Sequence, residues 1–87
     1  RGAKYGAWEG HARIAQDMKL IMHNTAQWND RLTDGHREAL DMIVHKIGRI
    51  LNGDPTHSDS WADIAGYALL VLRVPGTGLD VSGSPEQ

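Results

Sequence analysis

The sequence predicts an all-α domain, a short helical bundle whose core is completed by oligomerisation. Three observations predict it. Apolar residues recur at spacings of three and four in three separate segments, the signature of amphipathic helices. Strand-like alternation of any length is absent, and the breaks between segments carry the capping and proline signals that bound helices. At 87 residues the chain makes one domain at most, near the size where a single core barely suffices. One layer of helices leaves an apolar face uncovered, so a chain of this kind commonly completes its core with further copies.

Residues 1–10 hold three glycines and two aromatics and read as an ordered turn or an irregular lead-in. From His11 to about Asn24 the positions Ile14, Met18, Ile21 and Met22 form the first apolar stripe, with Ala12, Ala15 and Lys19 as good helix formers between them. Asn24 to Leu32 is a polar connection, and Trp28 within it is expected to fold back as an anchor on the core. Thr33 is a suitable N-cap for the second helix. Asp34 suits its positive end, and Leu32 stands where an apolar contact outside the cap is made. Leu40, Ile43, Val44, Ile47, Ile50 and Leu51 then hold one face until Asn52-Gly53-Asp54-Pro55 stops the helix. The third helix begins at Ser58 to Ser60, any of which is a possible cap. Its stripe is Trp61, Ile64, Ala65, Ala68, Leu69 and Leu72, and it ends at Val74-Pro75-Gly76. The domain therefore spans 1–74, and 75–87 is a Gly-, Ser- and Pro-rich tail.

A formal net charge of −2 creates no global field for nucleic acid, so a nucleic-acid polymer is not an expected partner. Anion binding has to come from a local cluster. The absence of cysteine excludes disulfides and thiolate zinc sites and fits a cytoplasmic protein. No apolar run approaches the roughly 18 residues of a membrane span, and no membrane partner is expected. The chain opens on Arg1 rather than Met, so its native start is expected upstream; no signal peptide is visible.

Two charged lines stand out. On the second helix, steps of 100° place Glu38, Met42, His45 and Arg49 on one line opposite the core, flanked by Asp41 and Lys46. A solvated face with local pairs such as Asp41–His45 explains this plainly. His45, Lys46 and Arg49 nevertheless gather at the C-terminal half, where cations suit the helix dipole and an anionic ligand suits the cations. On the third helix, Asp59, Asp63, Gly66 and Leu70 share a line, with Tyr67 beside it. Two carboxylates one turn apart can meet one divalent ion or one basic partner. The dipole alone accounts for Asp59 but less well for Asp63. A glycine in mid-helix costs about 1 kcal/mol relative to alanine, so a helix or a ligand ring is expected to approach Gly66. No glycine-rich phosphate loop and no serine-nucleophile motif is present.

Tyr5-Gly6, Leu32-Thr33, Lys46-Ile47-Gly48-Arg49-Ile50 and His57-Ser58-Asp59-Ser60-Trp61-Ala62-Asp63-Ile64-Ala65-Gly66-Tyr67, in that order, form a pattern that resembles a small domain family of phage and prophage genomes often described as MazG-like. The resemblance covers Arg1 to Val74. Through that family the chain is similar to the all-α nucleoside triphosphate pyrophosphohydrolases. Those are helical bundles that dimerise or tetramerise and cut between the α- and β-phosphates with magnesium held by Glu-Glu-x-x-Glu and Glu-x-x-Asp. The resemblance puts the terminal Asp of the second element on Asp63 and its leading Glu on Ser60, with Asp59 as a shifted substitute. Where the first element has glutamates, this chain has Lys46 and Arg49, with His45 adjacent. Cations there repel magnesium, which needs hard oxygen ligands.

Three functions follow. The first is a non-catalytic protein that binds, and sequesters, a nucleotide or other phosphorylated small molecule during phage infection. Lys46, Arg49 and the adjacent His45 take the phosphates, Asp59 or Asp63 the ribose or base edge, and Tyr67 or Trp61 stacks; no cofactor is expected. The second is a pyrophosphohydrolase whose magnesium is held by Asp59, Asp63, Glu38 and Asp41. The third is a structural oligomerisation module in which Lys46 and Arg49 pair with Asp59 and Asp63.

Overall fold

A computed structural model describes residues 2–53 and 55–73, with side chains from residue 7 onward. The Val74-Pro75-Gly76 stop and the tail 75–87 lie outside the described residues, as do Asp54 and the side chain of Tyr5. Helix α1 runs over Gly2–His23, a single π-helical turn over Gln27–Arg31, α2 over Asp34–Asn52 and α3 over Ser58–Leu72; the described residues contain no strand. The all-α class read from periodicity is the class observed.

The first ten residues are not an irregular lead-in: α1 begins at Gly2. The reason is tertiary. A Cβ at Gly10 would lie 2.5 Å from Asn52 Oδ1, and the Asn52 amide donates to the Ala7 carbonyl. The glycine that reads locally as a helix breaker serves instead to bring the end of α2 against α1.

Between α1 and α2 the chain turns on side-chain capping. Asn29 Nδ2 donates to the carbonyls of His23 (3.0 Å) and Thr25 (2.9 Å). Trp28 is buried, its ring stacked on His23 with centroids 4.2 Å apart, so it is the anchor its position suggested. Arg37 Nε donates to the Trp28 carbonyl at 2.9 Å. Thr33 caps α2 as expected, and His36 closes the capping box: Thr33 Oγ1 accepts from His36 N, and Thr33 N donates to His36 Nδ1. At α3 the capping serines do not cap. His57 is the N-cap and supplies no side-chain hydrogen bond, while the Trp61 indole N–H donates to the Pro55 carbonyl at 2.8 Å.

Helix α2 is central, packed on α1 along one side and on α3 along the other, while α1 and α3 scarcely meet. The Cα trace measures 49 × 30 × 13 Å, which is one helix thick. The contacts of His11 with His45, His23 with Asp41, and Lys46 with Asp63 fix the rotation of each helix about its axis. Steps of 100° then segregate the two broad faces. One face carries Ile14, Met18, Ile21, Leu40, Ile47, Leu51, Trp61, Ala65, Ala68 and Leu72. The other carries Trp8, Lys19, Glu38, Met42, Lys46, Arg49, Asp59, Asp63, Gly66 and Leu70. Both charged lines read from the sequence therefore lie on one side of the layer.

The core within the layer is thin. Its buried apolar residues are Ala15, Trp28, Ala39, Val44 and Ile50, and no large side chain among the described residues is completely enclosed. Ile21, Leu51, Trp61 and Leu69, expected in the core, are exposed instead. An apolar stripe wider than its neighbour leaves its flank uncovered when the helices lie side by side.

Two glycines on helices make opposite predictions. A Cβ at Gly48 would lie 2.8 Å from His11 Nδ1 and 3.4 Å from the His11 carbonyl oxygen, whereas one at Gly66 would meet nothing within 4 Å. The expected close approach at Gly66 does not occur. Gly66→Ala should therefore raise stability by about 0.5–1 kcal/mol. Gly48→Ala should lower it by about 1–2 kcal/mol despite the same gain in helix propensity, because the His11 ring is buried and has no room to withdraw. Thermal or urea unfolding followed by circular dichroism measures both.

Candidate functional site: a basic cleft

The charged face is not uniform. Lys46 and Asp63, on facing sides of α2 and α3, form an ion pair at 3.0 Å, with Lys46 largely covered and Asp63 about half exposed. This closes part of the seam. Arg49, one turn further along α2, makes no ion pair among the described residues and is exposed. It borders a cleft of about 510 Å³ lined by Ala7, Trp8, His11, Arg49, Asn52, Gly53, His57 and Ser60. The volume lies within the range of small-molecule sites. Among the described residues no carboxylate lines it.

Three elements meet there: the first half of α1, the end of α2 and the start of α3. The N-terminus of α3, whose N-cap side chain makes no hydrogen bond, contributes His57 and Ser60 to this lining, and the start of a 15-residue helix favours negative charge. Ser60 is 7% exposed, lines the cleft, and its hydroxyl has no hydrogen-bond partner among the described residues. Trp8 supplies an exposed aromatic wall, its ring tilted at 46° to His11 with centroids 5.5 Å apart.

Behind the cleft lies a histidine pair. His11 Nε2 and His45 Nδ1 are 3.3 Å apart and their rings meet edge to face at 84°. His11 is 6% exposed, and its Nδ1, pressed toward Gly48, is buried without a partner. Burial, followed by repulsion from His11, Lys46, Arg49 and Lys19, holds the His45 imidazole below its ordinary value of 6.5. His45 therefore faces α1 rather than standing opposite the core.

The sequence-derived residues thus separate. Arg49 opens to the cleft; Lys46 and Asp63 neutralise each other; His45 backs the cleft without lining it. Asp59 is exposed on the first turn of α3, Tyr67 is half-buried between helices, and the Trp61 indole fastens the loop before α3. Glu38, Asp59 and Asp63 do not converge: no group of three metal-ligating side chains suited to an ion occurs among the described residues. With Asp63 turned to Lys46, the residues present do not fit a magnesium centre. Trp8, His57 and Ser60 line the cleft without having been singled out as ligands by the sequence. The Ser-Asp-Ser run beside His57 was a signal for a helix start, and an uncapped start is what they surround.

Among the described residues, fold and cleft define a small all-α domain with an Arg49-bordered cleft on the charged side of a single helical layer. The chain belongs to the family described as a domain of unknown function, DUF6378, whose model matches residues 1–75. No curated protein matches the chain, and no solved structure matches it. Among the described residues no helix is long and apolar enough to cross a membrane.

Acid should loosen this seam. Because folded His45 resists protonation, the native state binds fewer protons than the unfolded chain once the pH drops below 6.5. Its contribution is complete above 6.5 and is lost as the pH falls through the lower folded value. The melting temperature of His45→Gln should decline less steeply than that of the parent between pH 6.5 and 5. For the ion pair, Asp63→Asn should cost about 0.5–1 kcal/mol at low salt and less in 1 M salt, since half the pair faces solvent.

Proposed function

We propose that this domain is a non-catalytic binder of a nucleotide or closely related phosphate ester, of the MazG-like type, which holds its ligand rather than converting it. The observation that carries the reading is Arg49, a guanidinium that has no ion pair and borders a cleft lined by no carboxylate among the described residues. Guanidinium presents its donors in a fork that matches phosphate oxygens. The phosphate sits between Arg49, His57, the Ser60 hydroxyl and the first-turn N–H groups of α3. The base lies against Trp8, whose indole is exposed on the cleft wall. Compared with the sequence reading, the phosphate role passes from Lys46 and Arg49 together to Arg49 alone, and stacking passes from Trp61 or Tyr67 to Trp8. Hydrolysis forms no part of the proposal, since the carboxylates that the alternative requires do not assemble. A cytoplasmic setting in a phage-carrying bacterial host belongs to the same proposal.

Isothermal calorimetry against a panel of nucleoside mono-, di- and triphosphates tests it, with intact ligand recovered after heating the protein. Arg49→Ala should weaken binding at least ten-fold, in keeping with the roughly 1.5–3 kcal/mol of a hydrogen bond to a charged group. Lys46→Ala should change affinity less than about three-fold, because its charge is already matched by Asp63. Trp8→Ala should erase differences between bases while retaining a phosphate-dependent residue of affinity. Failure of every nucleotide to bind at millimolar concentration, or release of pyrophosphate, sinks the reading.

A further inference from the structure

The hydrogen-bond donors of the basic cleft can be counted, and their number limits what it holds. Among the described residues that line it, Arg49 is the one side chain with a fixed positive charge. Two other polar lining residues are already committed. The Asn52 amide donates to the Ala7 carbonyl, and His11 Nε2 lies 3.3 Å from His45 Nδ1. His45 adds little charge from behind at neutral pH, because burial and the neighbouring basic groups hold its imidazole below 6.5. What remains beside the Trp8 wall is the Arg49 fork, the His57 ring, the Ser60 hydroxyl and the start of α3. Ser60 is 7% exposed, and a buried hydroxyl without a partner is a group that a ligand oxygen satisfies. These donors suit one tetrahedral phosphate and leave nothing over for a second.

Charge sets the same limit. A phosphate monoester carries about −1.5 to −2 at neutral pH. Arg49 and the positive end of α3, worth roughly half a charge, come close to matching it. Asp59 in the first turn of α3 offsets part of that half charge. The cation placed to meet a further phosphate is Lys46, three residues before Arg49 on the same side of α2, and Asp63 holds it at 3.0 Å. Triphosphate sites commonly balance the added charge with magnesium shared between carboxylates and phosphates. Among the described residues no carboxylate lines this cleft, and no three metal-ligating side chains converge.

We infer, on the nucleotide reading given above, that the cleft selects a single phosphate: it takes a nucleoside monophosphate in preference to the di- and triphosphate, and needs no divalent cation. Asp63 sets this preference without touching the ligand, by withholding Lys46 from the cleft. A triphosphate seated with its terminal phosphate at Arg49 has two phosphoryl groups that lose water and gain neither donor nor cation.

Calorimetry of the full chain at low salt, in buffer containing EDTA, compares adenosine and guanosine mono-, di- and triphosphates with the free nucleosides and inorganic phosphate. Each monophosphate should bind at least about five-fold more tightly than its triphosphate, and added magnesium should not reverse the order. In Asp63→Asn the freed Lys46 should cut the preference by about three-fold or more, and combining Asp63→Asn with Lys46→Ala should restore it. A triphosphate that binds as tightly as its monophosphate, with or without magnesium, overturns the inference and leaves nucleotide binding standing. Inorganic phosphate as tight as the monophosphates makes the cleft a plain anion site and overturns it too. A preference unchanged in Asp63→Asn overturns the role of Asp63. Absence of binding by every probe overturns both this inference and the nucleotide reading.

Discussion

The spacing between α1 and α2 is set where the His11 ring lies against the bare Cα of Gly48, and the rest of the layer depends on it. Gly10 repeats the device one turn away against Asn52, so at both points α1 meets α2 through a glycine and a polar side chain. That contact carries a cost. His11 Nδ1 has no partner among the described residues, a penalty of about 1–3 kcal/mol for a buried polar atom. A seam that buries imidazoles at this cost is held in register by the same groups: His11 on His45, and His23 between Asp41 and Trp28.

A polar seam inside the layer displaces the hydrophobic residues sideways. On α2, the flank toward α1 carries Asp41, His45, Gly48 and Asn52, while Leu40, Ile47 and Leu51 turn to a broad face. Trp61 and Ile21 follow from the flanking helices. Segregation of the faces is therefore a consequence of how α1 docks, not an independent property of each helix. With so few apolar groups buried inside, burial available to one copy is small for a domain of this size.

Periodicity carried the class, the spans of α2 and α3, the Thr33 cap and the Trp28 anchor, because each depends on residues within a turn or two of one another. It could not place the start of α1, where Gly6 and Gly10 read as breakers until Asn52 is known to lie beside them. The candidate site was legible in part. Opposed charged lines on α2 and α3 do share one face, but which cation is neutralised turns on interhelical register, and that is invisible to a single-helix projection. Lys46 reaches Asp63; Arg49, a turn later, reaches past the acids. By local sequence alone Trp8 belongs to a turn or an irregular lead-in, and helical continuation to Gly2 is what brings it to the cleft wall. Trp61 was available for stacking by periodicity alone, but its indole is committed to Pro55.

The position of Arg49 follows from two helix ends that point in opposite electrical senses. It stands in the last turn of α2, where unsatisfied carbonyls favour a cation, and it borders the uncapped first turn of α3, where N–H groups favour an anion. Arg49 satisfies the first end and leaves the second open. Had Asp59 or one of the serines capped α3, the positive end would be spent internally, and the guanidinium would serve only the α2 terminus. His57 caps with backbone alone, Ser60 withholds its hydroxyl, and the Asp63 carboxylate is held by Lys46. The unbalanced charge thus borders the cleft, which is the arrangement an external anion completes.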